Sequence, residues 1–145
     1  MIGRLAGSLI VAVGLATAAV APATSAGAAS VPQCTTSRNV AALGGGPLIV
    51  MPATSSGNTN CWLAQGDVSY GVRALQLALR YCWGFTSVAV DRNYGPKTKA
   101  AVTEVQNEAR ANGTNISVDG IYGPQTKMAI AVFYLAAGGG CDVTP

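Results

Sequence analysis

The chain has 145 residues, with 9 Lys and Arg against 6 Asp and Glu, no histidine and only 10% charged residues. That length suits one domain with appendages. Without histidine there is no Ser-His-Asp or Cys-His nucleophilic site and no His-bearing zinc site. A net charge of +3, spread along the chain, gives no reason to expect a nucleic-acid partner.

In chain order, Met1 to Ser30 reads as an address. Arg4 and the amino terminus are positive, Leu5 to Ala21 carries no charge, and Ala26-Gly27-Ala28 fits a small-x-small cleavage site. Residues 1–28 are therefore expected to be a secretory signal peptide, leaving a secreted chain, extracellular or cell-wall associated, that is not held in a membrane. A membrane anchor needs about 20 strongly apolar residues, and this run is diluted with Ala, Gly and Ser. All four cysteines, Cys34, Cys61, Cys82 and Cys141, follow the leader, and an even count in an exported chain favours two disulfides. No pair has CxxC spacing, so no metal or redox knuckle is expected. Cys61 and Cys82 flank a predicted helix roughly 18 Å long, which disfavours pairing them directly. Cys34–Cys61 with Cys82–Cys141 is the preferred pairing, the second bridge closing a long loop worth about 4 kcal/mol.

Residues 29–65 are poor in charge and rich in Ser, Thr, Gly, Pro and Asn, the composition of an irregular arm. Its apolar run Leu48 to Met51 adds one strand or packs on the domain. Residues 66–145 are periodic. Val72, Leu75 and Leu79 share one helical face after the N-cap Ser69. A second helix starts at Gly95-Pro96, buries Ala101, Val102, Val105 and Ala109, and ends at Asn112-Gly113. A third starts at Gly123-Pro124 and presents Ala129, Ile130 and Phe133. The expected fold is a small all-α three-helix domain with disulfides reinforcing a marginal core.

The second and third helices begin with the same sentence. Val90 to Ala101 reads VDRNYGPKTKAA and Val118 to Ala129 reads VDGIYGPQTKMA, 28 residues apart with eight of twelve positions identical. Val90 and Val118 are expected to point into the core. Asp91 and Asp119 fit Asx-turns, Tyr94 and Tyr122 fit a staple before the helix, and the Thr hydroxyl can satisfy an orphan N–H. A glycosidase acid–base pair from Asp91 and Asp119 is disfavoured because an Asx role suffices. Asp91-x-Asn93-x-Gly95 is no calcium loop, since Val102 stands where the closing glutamate belongs. Two sequons at Asn112 and Asn115 matter only in a eukaryotic host.

Leu75-Gln76 with Leu79, then VDRNYGPKTKAAVTEVQ, then VDGIYGPQTKMAI, resembles the bacterial peptidoglycan-binding domain family over about Gly66 to Tyr134. The resemblance implies a leading helix followed by two similar loop-helix halves, and non-covalent attachment to the cell wall. Arg92 stands where the family has glycine and Val105 where it commonly has Phe. With no catalytic partner in the chain, the resemblance implies a free-standing, monomeric, non-enzymatic binder of peptidoglycan that needs no cofactor or metal. A wall hydrolase would then be a separate polypeptide. Sugar faces, amides and carboxylates are met by aromatic, amide and cationic side chains. Arg92, Asn93, Tyr94, Tyr122 and Gln125 are accordingly the candidate ligand residues, with Trp62 and Trp83 as further candidates. The alternative function is a secreted scaffold or inhibitor that contacts another extracellular protein, such as a wall hydrolase, through the 29–65 arm.

Overall fold

The computed structural model describes residues 30–41 and 48–136; the expected leader and Cys141 lie outside the described residues. Two strands, β1 (Thr36–Ala41) and β2 (Leu48–Ala53), pair antiparallel in the register Thr36↔Ala53 to Ala41↔Leu48. Helix α1 (Tyr70–Leu77) runs on into one π-helical turn, Ala78–Cys82, and is followed by α2 (Pro96–Ala111) and α3 (Pro124–Ala136). Three helices thus form where the periodicity puts them, but the fold is not all-α. The correction lies in the arm. Its Ile49-Val50-Met51 run suits a pleated, half-buried surface, and the resulting strand pair lies against α1. A small apolar cavity remains between β2 and the helices, lined by Ile49, Met51, Leu75, Ala78, Tyr122 and Ile130.

The helix boundaries follow from local chemistry. Ser69 Oγ accepts the Val72 N–H at 3.1 Å, the N-cap bond expected of it. Gly95 and Pro96 open α2 without a side-chain cap, since proline at the first position has no N–H to satisfy. Gly113, at φ 84°, follows the end of α2. At the start of α1, a Cβ on Gly71 would lie 3.0 Å from both the Cys34 and Thr36 carbonyl oxygens. Only glycine lets the helix cross the arm at that distance.

One core joins arm and helices. Val72, Leu75, Leu79, Val102, Val105 and Ile130 are buried together with Cys34, Cys61 and Leu63 of the arm. Ala109 and Ala129 are half-buried, and the Phe133 side chain lies outside the described residues. Val90 and Val118 are only half-buried; Val88 and Ile116, two residues earlier in each copy, are the buried anchors. Period-two alternation puts all four on related sides of an extended segment, so the expectation chose the outer pair. Cys34 and Cys61 are bonded, with Cα atoms 5.1 Å apart. Cys82 is also disulfide-bonded; its expected partner Cys141 lies outside the described residues.

Candidate functional site

Each repeated turn is clasped by a glutamine from the helix before it. Gln76 Oε1 accepts the N–H groups of Asp91 (3.1 Å) and Arg92 (2.9 Å), while its Nε2 faces Asp91 Oδ1 (2.8 Å), the Asn93 carbonyl (2.9 Å) and Thr98 Oγ1 (3.3 Å). Gln106 repeats the pattern on Asp119 N (3.0 Å), Gly120 N (2.8 Å), Asp119 Oδ1 (2.9 Å), the Ile121 carbonyl (2.9 Å) and Thr126 Oγ1 (3.0 Å). Both glutamines and both threonines are buried, and a buried amide of this kind has to be satisfied on both sides. Arg80 and Arg110 complete the likeness by donating to the carbonyls of Val88 (2.9 Å) and Ile116 (2.8 Å).

The two aspartates form the expected Asx-turns. Asp91 Oδ1 accepts the Asn93 N–H at 2.9 Å, and Asp119 Oδ1 accepts the Ile121 N–H at 2.8 Å. The Asn93 N–H and the Gln76 amide together hold the Asp91 carboxyl below its ordinary pKa. Both carboxylates thus serve the turns as hydrogen-bond acceptors.

Tyr94 and Tyr122 do not stand where a ligand would meet them. Both are buried, in the core cluster with Val102, Val105 and Ile130. Tyr94 donates its hydroxyl to the Gly120 carbonyl at 2.9 Å, tying the first turn to the second. Burial pushes its phenol pKa up, so it remains a neutral donor. Tyr122 exchanges two backbone hydrogen bonds with Leu63 (2.8 and 2.9 Å), fixing the second turn to the arm. These rings are core.

Arg92 has the opposite fate. Its φ is 70°, the same as that of Gly120 at the matching position, so the turn requires a left-handed residue and one copy meets it with arginine. The left-handed region costs a non-glycine residue roughly 1–2 kcal/mol. The Arg92 side chain is exposed, with its guanidinium 5.2 Å from the centre of the Tyr70 ring, within cation–π range. Together with Gln33, Thr35, Val68 and Ser69, these two residues line a cleft of about 410 Å³ between the arm and the first turn. Val68 is 72% and Tyr70 58% exposed.

The other candidates divide around this cleft. Asn93 is exposed beside it, its backbone bridged to Val68. Gln125 is exposed in the first turn of α3, in the second unit, and does not line the cleft. Trp62 is half-buried and bridges to Gln33 through its backbone, while Trp83 stacks on Phe85 at 6.4 Å between centroids. Tyr70, Val68 and Gln33 were missed from sequence. Tyr70 lies off the Val72, Leu75, Leu79 stripe, which was the available signal that it faces outward.

The matched positions 92 and 120 give a paired prediction. A Cβ on Gly120 would lie 2.7 Å from Lys99 Cγ and 2.9 Å from Thr103 Oγ1, so Gly120→Ala is expected to lower stability by about 2 kcal/mol. Arg92→Gly removes a left-handed penalty but also frees the unfolded chain and loses the Tyr70 contact. Its stability is expected to stay within about 1 kcal/mol of the parent. Urea denaturation of the two variants tests both values.

Comparison with known proteins gives one finding. Residues 69–130 match the family model described as putative peptidoglycan binding domain. The comparisons with curated proteins and with solved structures give no match. The matched span opens at the N-cap of α1, includes both clasped turns and ends within α3, leaving out the strand pair and Gln33 to Val68. Over residues 69–130 the chain is thus similar to the putative peptidoglycan binding domain family.

Proposed function

We propose that the chain is a secreted, non-catalytic protein that attaches to peptidoglycan as a monomer and needs no cofactor. The observation that carries this reading is the family match, which lies on both turn-and-helix units. The apolar leader at residues 1–28 and the disulfides support export. A binding role is further supported by the engagement of Asp91 and Asp119 in turn hydrogen bonds, the carboxylates otherwise suited to acid–base work. Any wall hydrolysis that accompanies binding then belongs to a separate polypeptide.

Sedimentation with purified insoluble sacculi tests the reading. Most of the protein is expected in the pellet, and no soluble wall fragments are expected to appear during incubation. Protein that stays in the supernatant while a control binder sediments would reject wall binding. That result would leave the scaffold or inhibitor reading in its place. Release of soluble fragments would reject the non-catalytic assignment.

A further inference from the structure

We propose that the cleft between the arm and the first turn is a subsite for a carboxylate-bearing unit of the wall polymer, held by Arg92 and seated against Tyr70 and Val68. The proposal rests on the wall-binding reading and adds to it the ligand chemistry and the participation of the arm, which the family match does not cover. Backbone strain at a non-glycine residue persists where the surroundings enforce it, and it concentrates at functional sites. Here the second copy of the same turn shows the unstrained solution, Gly120 at the same φ of 70°. Arginine at position 92 is therefore not required by the turn, which sets it aside from the residues repeated for structure.

The surroundings of Arg92 specify the ligand. Among the described residues its guanidinium meets only the Tyr70 ring, so its outward N–H groups are free for an incoming group. A planar guanidinium stacked on an aromatic face is held in orientation, and its fork matches a carboxylate with two parallel hydrogen bonds. The neighbouring acid does not compete. Asp67 Oδ1 accepts from Gln33 Nε2 at 2.6 Å and its Oδ2 from the Ala64 N–H at 2.8 Å. The exposed Val68 and Tyr70 offer apolar surface beside the cation, suited to the aliphatic or sugar body that carries the acid. Gln33 and Thr35 of the arm complete the lining, so the site exists only while the arm is seated.

Peptidoglycan offers such acids from two sources, its peptides and its sugars, and the test separates them. The purified chain and its Arg92→Gly variant are titrated by calorimetry with a soluble muramyl peptide bearing free carboxylates. The same peptide with its carboxylates amidated, and glycan strands stripped of peptide, are titrated alongside. Arg92→Gly is expected to bind the free-acid peptide at least about tenfold more weakly. Amidation is expected to weaken wild-type binding similarly and to add nothing further in the variant. Stripped strands expose the lactyl carboxylate that the muramyl peptide holds as an amide, so strands binding as well as the muramyl peptide show that the site takes either acid, and weaker binding restricts it to the peptide acid; both support the subsite. Equal affinity of variant and wild type, of free and amidated ligand, or no wild-type binding to the free acid overturns it. Sacculus sedimentation separates the two levels. If both proteins sediment alike while the soluble titration shows no dependence on Arg92, the wall reading stands and the subsite fails. If the wild type binds the soluble acid but not sacculi, the subsite stands and the wall reading fails.

Discussion

Gln106→Ala is expected to lower the stability of the protein by about 4 kcal/mol, a large share of the margin of a small domain. The side chain spans the interval between α2 and the second turn and closes five contacts there, between 2.8 and 3.0 Å. Alanine leaves the buried Gly120 N–H without its acceptor and Thr126 Oγ1 without its donor, and it opens a cavity. An orphaned buried group costs roughly 1–3 kcal/mol, and the lost volume adds to this. Gln106→Glu keeps the shape and the acceptor but turns a donor into a second carboxylate facing Asp119. It is expected to be destabilised as well, which distinguishes hydrogen-bond direction from volume. The matching Gln76→Ala is expected to lose less, because its turn is only partly buried and water can replace some bonds. Urea denaturation of the three variants with disulfides intact measures the differences. A loss below about 1 kcal/mol for Gln106→Ala would show that the clasp does not hold the second unit.

Much of this arrangement was legible because it is periodic or repeated. The stripe Val72, Leu75, Leu79 and the stripe Ala101, Val102, Val105 follow from the helical period, and both are buried. The Asx-turns at Asp91 and Asp119 followed from residue type and the 28-residue repeat. Gln76 and Gln106 were visible only as residues of a family pattern. That each reaches 13 to 16 residues along the chain to close a turn is information that only the fold supplies.

Other features depended on contacts that no local signal carries. Strand β1, Thr-Ser-Arg-Asn-Val-Ala, has no apolar alternation, so it forms because β2 and α1 are there to receive it. Tyr94 and Tyr122 have the composition of a binding platform, but both are buried in the core. Arg92 was marked in the sequence as standing where the family has glycine, and the fold shows why glycine suits that position, its φ being 70°. Its neighbours in the cleft, Gln33 and Thr35, lie 59 and 57 residues away along the chain. They come to Arg92 through the Cys34–Cys61 bridge and the Gln33–Trp62 pairing, neither of which belongs to the repeat.

That dependence makes the Cys34–Cys61 bridge the second point at which a large effect is expected. The bond spans 27 residues, and for a loop of this size the chain-entropy estimate is about 3.5 kcal/mol. Both cysteines are buried against the helical core, so Cys34→Ala with Cys61→Ala loses side-chain contact in addition to the crosslink. The backbone bonds between Cys34 N and the Trp62 carbonyl (2.9 Å) and between Trp62 N and the Pro32 carbonyl (2.9 Å) then stand without a covalent tie. They close the loop only against its full entropy. The double variant is expected to melt well below wild type and to expose the first strand to limited proteolysis first. The loss is also expected to be selective in function. Residues 69–130 keep their own two glutamine clasps, while Gln33 and Thr35 leave the Arg92 cleft, so binding of the free-acid muramyl peptide falls at temperatures where the helices remain folded. Circular dichroism at the helical band, read beside the titration on the same sample, checks the order of these events. Simultaneous loss of helix signal and ligand binding would show that the arm is part of one cooperative unit with α1, and not a separable wall of the cleft.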